Sequence, residues 1–267
     1  ITFNPGINLI YGKNGKGKTS ILEAIYILSI SRSFRSHFLK NIITHGQSNI
    51  EIIGKIKDSF NNSLKIEYYK LNHKKRIKIN EKKINNLSEL LGVFPATILS
   101  PEDVNIMIGT NREKLNFFDI ILCQTNKIYL RYLQQYKTTI KQRNILLQTN
   151  PTTAHLEVWN NKLSELGAKI WELRKIFFQD FIMIFDNLWK QLEVPVESQI
   201  KYDLSQSLYQ EEYYNQLLQN ESQDIQRGYT TRGPHEDFIS FNSCSHKFCW
   251  KFVLFCIIRF ILSIFCI

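Results

Sequence analysis

An eight-residue phosphate-binding pattern near the start of the chain constrains its fold more than any other feature. The segment Gly12-Lys13-Asn14-Gly15-Lys16-Gly17-Lys18-Thr19 matches G-x-x-x-x-G-K-[ST] at every fixed position. In this pattern the glycines let consecutive backbone N–H groups surround the phosphates of a nucleotide. The Lys18 ammonium reaches the β- and γ-phosphates, and the Thr19 hydroxyl ligates Mg²⁺. We therefore expect Gly12 to Ser20 to hold a nucleotide.

The residues on either side of this loop favour a strand, a loop and a helix in that order. Ile7 to Tyr11 form a short apolar run, which is typical of a buried parallel strand. Ser20 to Leu28 carry apolar residues at helical spacing. A glycine-rich turn that merely carries lysines is the alternative, but it does not require this order. The sequence thus predicts an α/β unit of the P-loop NTPase type.

Positive charge is concentrated in the part of the chain that carries the loop. The net charge is +10, and residues 1–100 hold sixteen Lys and Arg against six Asp and Glu. A basic face of this kind suits a polyanionic partner, in particular nucleic acid. A solvated lysine-rich surface is the alternative explanation.

Three segments after the first helix predict an antiparallel β meander, because apolar and polar residues alternate along them. They run from Asn49 to Lys57, from Ser63 to Tyr69 and from Lys74 to Asn80. Basic residues cluster on the third segment, and further arginines lie on the connector Ser31 to Ser36. The candidate DNA contacts are Arg32, Arg35, Lys74, Lys75, Arg76 and Lys78. Protection of a sheet edge by lysines is the alternative.

The rest of the chain has a mainly helical pattern. Phe94 to Leu99 predict one more buried strand, and Pro101 is placed to begin a helix. Tyr129 to Gln148 and His155 to Lys190 are long amphipathic candidates. The predicted domains are a nucleotide-binding head with the meander (1–100), a helical insertion (101–230), and a return to the head followed by an apolar, cysteine-rich tail (231–267).

An ordered set of motifs over about residues 1 to 237 resembles the RecF family of bacterial recombination mediators. Besides the phosphate loop, the motifs are Leu22-Glu23-Ala24-Ile25, Ser31-Arg32-Ser33-Phe34-Arg35, Ser100-Pro101-Glu102-Asp103, Phe117-Phe118-Asp119, Gln142-Arg143-Asn144-Ile145-Leu146-Leu147, Trp159, Gly167 and Gly233-Pro234-His235. The resemblance implies an incomplete ATP-binding head of the ABC-ATPase type with a helical insertion. It implies ATP and Mg²⁺ as cofactors, with Thr19 on the metal.

The resemblance also implies a role and partners. It implies binding to single-stranded and gapped or linear double-stranded DNA in replication, recombinational repair and the SOS response. It further implies partner recombination mediators, an ATP-dependent homodimer and a cytoplasmic location without a membrane. Two other functions stay open, namely a nonfunctional remnant of such a protein and another P-loop NTPase such as a kinase or a transporter-type ATPase.

Several positions depart from the family pattern. Lys114-Leu115 stand where the family usually has two arginines, and Glu236 follows His235 where arginine is expected. The family's first strand, upstream of Ile1, its signature motif and its acidic strand end are not found, and the likeness stops after Asp237. We expect a change of reading frame there. A terminal membrane helix, interrupted by Lys251 and Arg259, and a metal site at Cys244, His246 and Cys249 are the alternatives.

Catalytic residues are harder to identify than binding residues. Phosphoryl transfer needs an acidic group beside Mg²⁺ and a group that positions water. Glu102 and Asp103 form the nearest acidic pair, but their position suits a helix start, and His235 is expected to be structural rather than a general base. We therefore expect ATP binding with little or no hydrolysis.

Overall fold

The computed structural model describes residues 1–35, 49–57, 62–71, 74–98, 109–149, 151–191, 199–203 and 209–242. The chain divides into two compact units, Ile1–Ile98 and Leu99–Ile267. The predicted three-part division at 100 and 230 stays a prediction. Expectations that concern Ser36, Leu99, Ser100 to Asp103 and the tail, including Cys244, His246 and Cys249, lie outside the described residues.

The first unit contains one long helix, α1, at Lys18–Ile30. It begins directly after Gly17 and ends at Ser31, whose N–H donates to the Ile27 carbonyl at 2.8 Å. Ser31 adopts a left-handed backbone with φ of 60°, which stops the helix. The predicted helix after the phosphate loop is confirmed.

A four-stranded antiparallel sheet packs on α1. Its strands are β1 (Asn49–Lys57), β2 (Ser63–Leu71), β3 (Lys74–Ile79) and β4 (Lys82–Lys83), in the order β1-β2-β3-β4. The predicted meander is thus confirmed, with β4 as an addition. Side chains alternate between two faces of a strand, so one face of the sheet is buried against the helix. The buried core residues are Ile27, Leu28, Ile50, Ile66, Tyr68, Ile77 and Leu90.

Two predicted strands are wrong. Ile7 to Tyr11 form no strand, and the side chains of Ile7, Leu9 and Tyr11 are exposed. A strand persists only where another strand satisfies its backbone groups, and among the described residues none pairs with this segment. Phe94 to Ile98 are likewise irregular, following a short 3₁₀ helix at Leu87–Glu89. A short apolar run alone does not distinguish a strand from a packed loop.

The second unit is mainly helical. In the described part of this unit the helices are α2 (Asn111–Thr125), α3 (Lys127–Leu147), α4 (Thr153–Gln191), α5 (Gln210–Gln219) and α6 (Glu221–Arg227). The long helices predicted at Tyr129 to Gln148 and His155 to Lys190 are confirmed as α3 and α4. No helix among the described residues is both long and apolar enough to cross a membrane.

A small sheet of the second unit was not expected. Strand β5 (Gln199–Asp203) pairs antiparallel with β6 (Phe238–Asn242). The mainly helical pattern predicted for 101–230 did not include β5, which forms because five residues with apolar alternation gain a distant strand as partner. Strand β6 also extends the fold beyond Asp237, where the family motifs end.

Close packing and hydrogen bonds set the ends and contacts of these helices. Thr110 and Glu113 form a reciprocal capping box at the start of α2, which lowers the pKa of Glu113 through hydrogen bonds from the Thr110 hydroxyl and N–H. In the middle of α4, a Cβ on Gly167 would lie 2.5 Å from Cε1 of Tyr213. Only glycine therefore allows the Tyr213 ring of α5 to approach α4 this closely.

A buried ionic network centred on Arg174 connects several helices and strands of the second unit to one another. Its guanidinium donates to Asp119 at 2.8 Å, to Asp237 at 2.6 Å and to the Tyr129 hydroxyl at 2.9 Å. Asp237 also accepts from the Trp171 indole N–H at 2.7 Å and from the Tyr202 hydroxyl. These contacts connect α2, α3, α4 and β5 to the residue that precedes β6.

A second polar cluster lies around Arg143 of α3. Arg143 donates to Asp224 at 2.6 Å and to Asn160 at 2.8 Å, and its side chain is fully buried.

His235 contacts the Tyr136 hydroxyl at 2.8 Å and the Thr230 carbonyl at 3.0 Å. Burial lowers the pKa of His235, so the neutral ring donates from Nε2 to the carbonyl and accepts at Nδ1. These contacts agree with the structural role expected for this histidine.

Replacing Arg174 with methionine tests the buried network. Arg174→Met leaves the buried carboxylate of Asp237 without its cation and Asp119 with Lys137 alone, at 3.6 Å, so we expect the free energy of unfolding to fall by about 3–5 kcal/mol. Urea unfolding followed by circular dichroism measures this change.

The matched control is Lys175→Met, which alters the next residue of α4, an exposed one. We expect this control to change the free energy of unfolding by less than about 0.5 kcal/mol. A decrease of similar size in both variants would contradict the role assigned to Arg174.

Candidate functional site

The phosphate loop adopts a backbone that requires glycine. Gly12, Gly15 and Gly17 have φ angles of 145°, 78° and 85°, all in the region that L side chains rarely adopt. Gly17 is also the residue before the first turn of α1. The three glycines therefore let the chain curl back and enter the helix within six residues.

The start of α1 presents an anion-binding end. The first bond of the helix runs from the Ile21 N–H to the Gly17 carbonyl at 3.2 Å. The preceding N–H groups of Lys18, Thr19 and Ser20 lie ahead of this bond, and the helix dipole adds partial positive charge there. The Thr19 and Ser20 side chains are exposed. This arrangement fits the phosphates of a nucleotide and leaves a hydroxyl for a bound cation.

Lys18 lies folded over the loop. Its ammonium donates to the Gly12 carbonyl at 2.7 Å and to the Lys13 carbonyl at 2.9 Å. The charge is thereby held at the mouth of the loop, among the amides described above. The structure brings the whole predicted set, Gly12 to Ser20, together in one largely exposed segment.

The second candidate surface is the face of the sheet that points away from α1, here called the solvent face. Strand alternation and register place seven basic and two acidic side chains on its described part. Three of the basic residues occupy alternate positions of β3 and are here called the basic row: Lys74, Arg76 and Lys78. A groove of about 780 Å³ is lined by this row together with Tyr69, Lys83 and residues of β1.

Lys75 also lines this groove but does not belong to the basic row. It alternates to the opposite side of β3, where its ammonium donates to the Ser31 hydroxyl at 3.1 Å. Burial of the ammonium, followed by the charges of Arg32 and Lys70, lowers the pKa of Lys75. Arg32 and Lys75 thus form a separate basic site at the end of α1, about 20 Å along the helix from the phosphate loop.

The connector that carries the predicted arginines is anchored to α1. The Ser33 hydroxyl donates to the buried carboxylate of Glu23 and accepts from the Arg35 N–H at 3.1 Å. Arg32 and Arg35 have exposed side chains. The six predicted DNA contacts therefore fall into two groups, the basic row on the solvent face and the others on or beside the connector.

Sequence reasoning missed the residues that complete the solvent face. The Tyr69 ring lies opposite Arg76 in the register, with the Lys78 ammonium 5.9 Å from its centroid. Glu67 is buried beneath these side chains, and the Lys65 ammonium contacts it at 2.6 Å. The hydrogen bond from Lys65 holds the pKa of Glu67 below its usual value. Counting alternate residues along β2 and β3 would have placed Tyr69 beside the basic row.

Curated relatives of this chain share one name. The chain is 32% identical over 249 residues to the DNA replication and repair protein RecF of Flavobacterium johnsoniae, covering 91% of this chain and 69% of the relative. It is 34% identical over 252 residues to RecF of Ruminiclostridium cellulolyticum, covering 89% and 68%. It is 33% identical to RecF of Chlamydia trachomatis serovar D, covering 89% of this chain and 66% of the relative. The chain thus spans about two thirds of their length.

Solved structures agree with these relatives. The recombination mediator protein RecF-ATP of the RecFOR pathway has a TM-score of 0.92 and 27% identity, covering 99% of this chain and 76% of its own. RecF-ATPrS of the same pathway has a TM-score of 0.89 and 26% identity at the same coverage. The fold is therefore the predicted P-loop ATPase fold of the ABC type, with a β meander and a helical insertion, present in part.

No protein-family model matches the chain. Family membership therefore rests on the curated relatives, which align with about nine tenths of the chain, and on the solved structures. The chain belongs to the RecF family of DNA replication and repair proteins.

Proposed function

We propose that this chain binds ATP with Mg²⁺ at Gly12 to Ser20 and binds DNA through the basic residues of its first unit, in DNA replication and recombinational repair. The geometry of the loop carries the proposal, because three left-handed glycines, the first amides of α1 and a lysine folded back onto the loop lie within one largely exposed segment of nine residues, 12–20. The relatives' name, DNA replication and repair protein, supports the role, and the name RecF-ATP supports the nucleotide.

Each part of the loop has a separate task in this proposal. The backbone amides surround the phosphates, and Lys18 exchanges its hydrogen bonds to the Gly12 and Lys13 carbonyls for hydrogen bonds to the β- and γ-phosphates. The Thr19 hydroxyl ligates Mg²⁺, which offsets part of the charge on the phosphates. The described residues thus provide binding and orientation of the nucleotide. The expectation of little or no hydrolysis stays a prediction.

DNA binding is proposed for the two basic groups of the first unit. Lys74, Arg76 and Lys78 form a row in which Lys74 and Arg76 are exposed, and Arg32 lies with Lys75 at the end of α1. Cations of this kind bind phosphates without regard to sequence, which suits both single-stranded and double-stranded DNA. The name of the RecFOR pathway supports partner recombination mediators. We extend the proposal to an ATP-dependent homodimer, an SOS role and a cytoplasmic location.

Replacing Lys18 tests the nucleotide site. We expect Lys18→Ala to weaken binding of Mg²⁺-ATP by about 10- to 150-fold, because the shortened side chain no longer donates a charge-assisted hydrogen bond to the phosphates. Isothermal titration calorimetry measures the affinity directly. The control, Lys141→Ala, removes an exposed lysine of α3 and leaves the affinity unchanged.

Two outcomes of the calorimetry would reject the nucleotide site, namely no binding of ATP to folded wild-type protein and equal affinity in wild type and Lys18→Ala. Turnover measured on the same samples tests the expected weak hydrolysis. An ATPase rate clearly above that of Lys18→Ala would contradict that expectation.

Replacing the exposed part of the basic row tests DNA binding. We expect Lys74→Ala/Arg76→Ala to weaken duplex binding and to reduce the slope of log affinity against log salt by about 1.8, or about 0.9 for each phosphate that is no longer neutralised. Fluorescence anisotropy across a salt series measures both quantities. Lys141→Ala/Lys175→Ala removes two exposed lysines of the second unit and is the matched control.

This measurement also separates the competing functions. A small-molecule kinase or a nonfunctional remnant predicts no salt-dependent DNA binding, and a surface effect of net charge alone predicts equal decreases in affinity for both double variants. Either result would reject the basic row as a DNA-binding surface.

A further inference from the structure

We propose that the solvent face of the sheet binds single-stranded DNA, with successive phosphates along the basic row and one base against the ring of Tyr69. The proposal rests on the DNA binding proposed above, which already includes single strands, and adds the path of the strand on the sheet and a base contact. The main support for the proposal is the position of an aromatic ring beside a regular row of cations.

The spacing of the basic row suits a nucleic-acid backbone. Lys74, Arg76 and Lys78 occupy every second position of β3, so their Cα atoms are about 6.8 Å apart. Successive phosphates of an extended single strand lie at a similar separation. Lys83 lies opposite Lys78 on β4 and adds a fourth cation beside the end of the row.

The charges on either side of Tyr69 determine which edge of the sheet the DNA backbone follows. Glu51 of β1 lies opposite Tyr69, which in turn lies opposite Arg76 of β3. Beside Tyr69, phosphates are repelled by Glu51 and attracted to Arg76, whereas the lysines of β1 on this face, Lys55 and Lys57, lie further along the strand. A strand that follows β3 therefore directs its bases inward, across β2.

Tyr69 is held where such a base would arrive. Its hydroxyl donates to Glu67 at 3.2 Å, and Glu67 is itself anchored by Lys65. The ring is half-buried in the wall of the groove, so it keeps accessible surface. Bases stack on such rings with little dependence on sequence.

A duplex does not use this ring. Its bases are stacked inside the helix and its phosphates face outward, so Tyr69 would meet only the backbone. A single strand can turn one base out onto the ring while its phosphates stay on the row. The solvent face therefore distinguishes the two forms of DNA through Tyr69 and binds phosphates of both through the cations.

Three probes test the proposal on the full chain. They are a short oligothymidylate, an abasic strand of the same length, and a duplex, each measured by fluorescence anisotropy at one salt concentration. We expect Tyr69→Ala to weaken oligothymidylate binding by about tenfold, in line with the removal of one stacked base. Binding of the abasic strand and of the duplex should change less than about twofold, because neither places a base on the ring.

Tyr69→Phe is the matched control, since it keeps the ring and removes the hydroxyl. We expect it to bind oligothymidylate within about twofold of wild type. Equal decreases in affinity for all three probes in Tyr69→Ala, or no decrease for oligothymidylate, would overturn the base contact. Tighter, Tyr69-dependent binding of the corresponding RNA would overturn the assignment to DNA.

The outcomes separate this inference from the DNA-binding proposal. If Lys74→Ala/Arg76→Ala weakens every probe while Tyr69→Ala weakens none selectively, DNA binding stands and the base contact fails. If neither variant changes any affinity, both fail.

Discussion

The packing of α1 on one face of the sheet determines where every candidate group of the first unit lies. Leu28 sits directly over Gly54, where a Cβ would come within 2.5 Å of its Cδ1 atom. Burial of this apolar face is the main source of stability for such a layer. Because side chains alternate along a strand, the same burial leaves Tyr69 and Arg76 on the opposite face. One contact thus positions both the helix that follows the phosphate loop and the surface that carries the basic row.

Features with their own local chemistry were predictable from the sequence. The phosphate loop needs particular residues at particular positions, and the meander and the helices α3 and α4 have long periodic patterns. Features that depend on a distant partner were not. Ile7 to Tyr11 are apolar like a strand, but none of the described residues pairs with them. Strand β5 exists because β6 pairs with it, and five residues alone do not indicate that pairing.

The candidate site also depends on partners that are distant in the sequence, and this part of it was not predicted. The basic residues of β3 were identified as a cluster, yet register decides which of them act together. Lys75 belongs with Ser31 and Arg32, whereas its neighbours Lys74 and Arg76 belong with Tyr69. Tyr69 was missed because it lies on β2, and a cluster in sequence does not include residues that meet it across a strand pair.

Family-like residues of the second unit hold its fold together. Asp119, Arg143 and His235 all make buried or largely buried contacts that join separate elements. A sequence motif in this unit therefore reflects the cost of leaving a buried charge without its partner. The motif in the first unit differs in kind, because its glycines are exposed and Lys18 donates to two carbonyls of the loop itself instead of joining separate elements. An exposed backbone conformation that favours glycine distinguishes the candidate phosphate loop from these structural clusters.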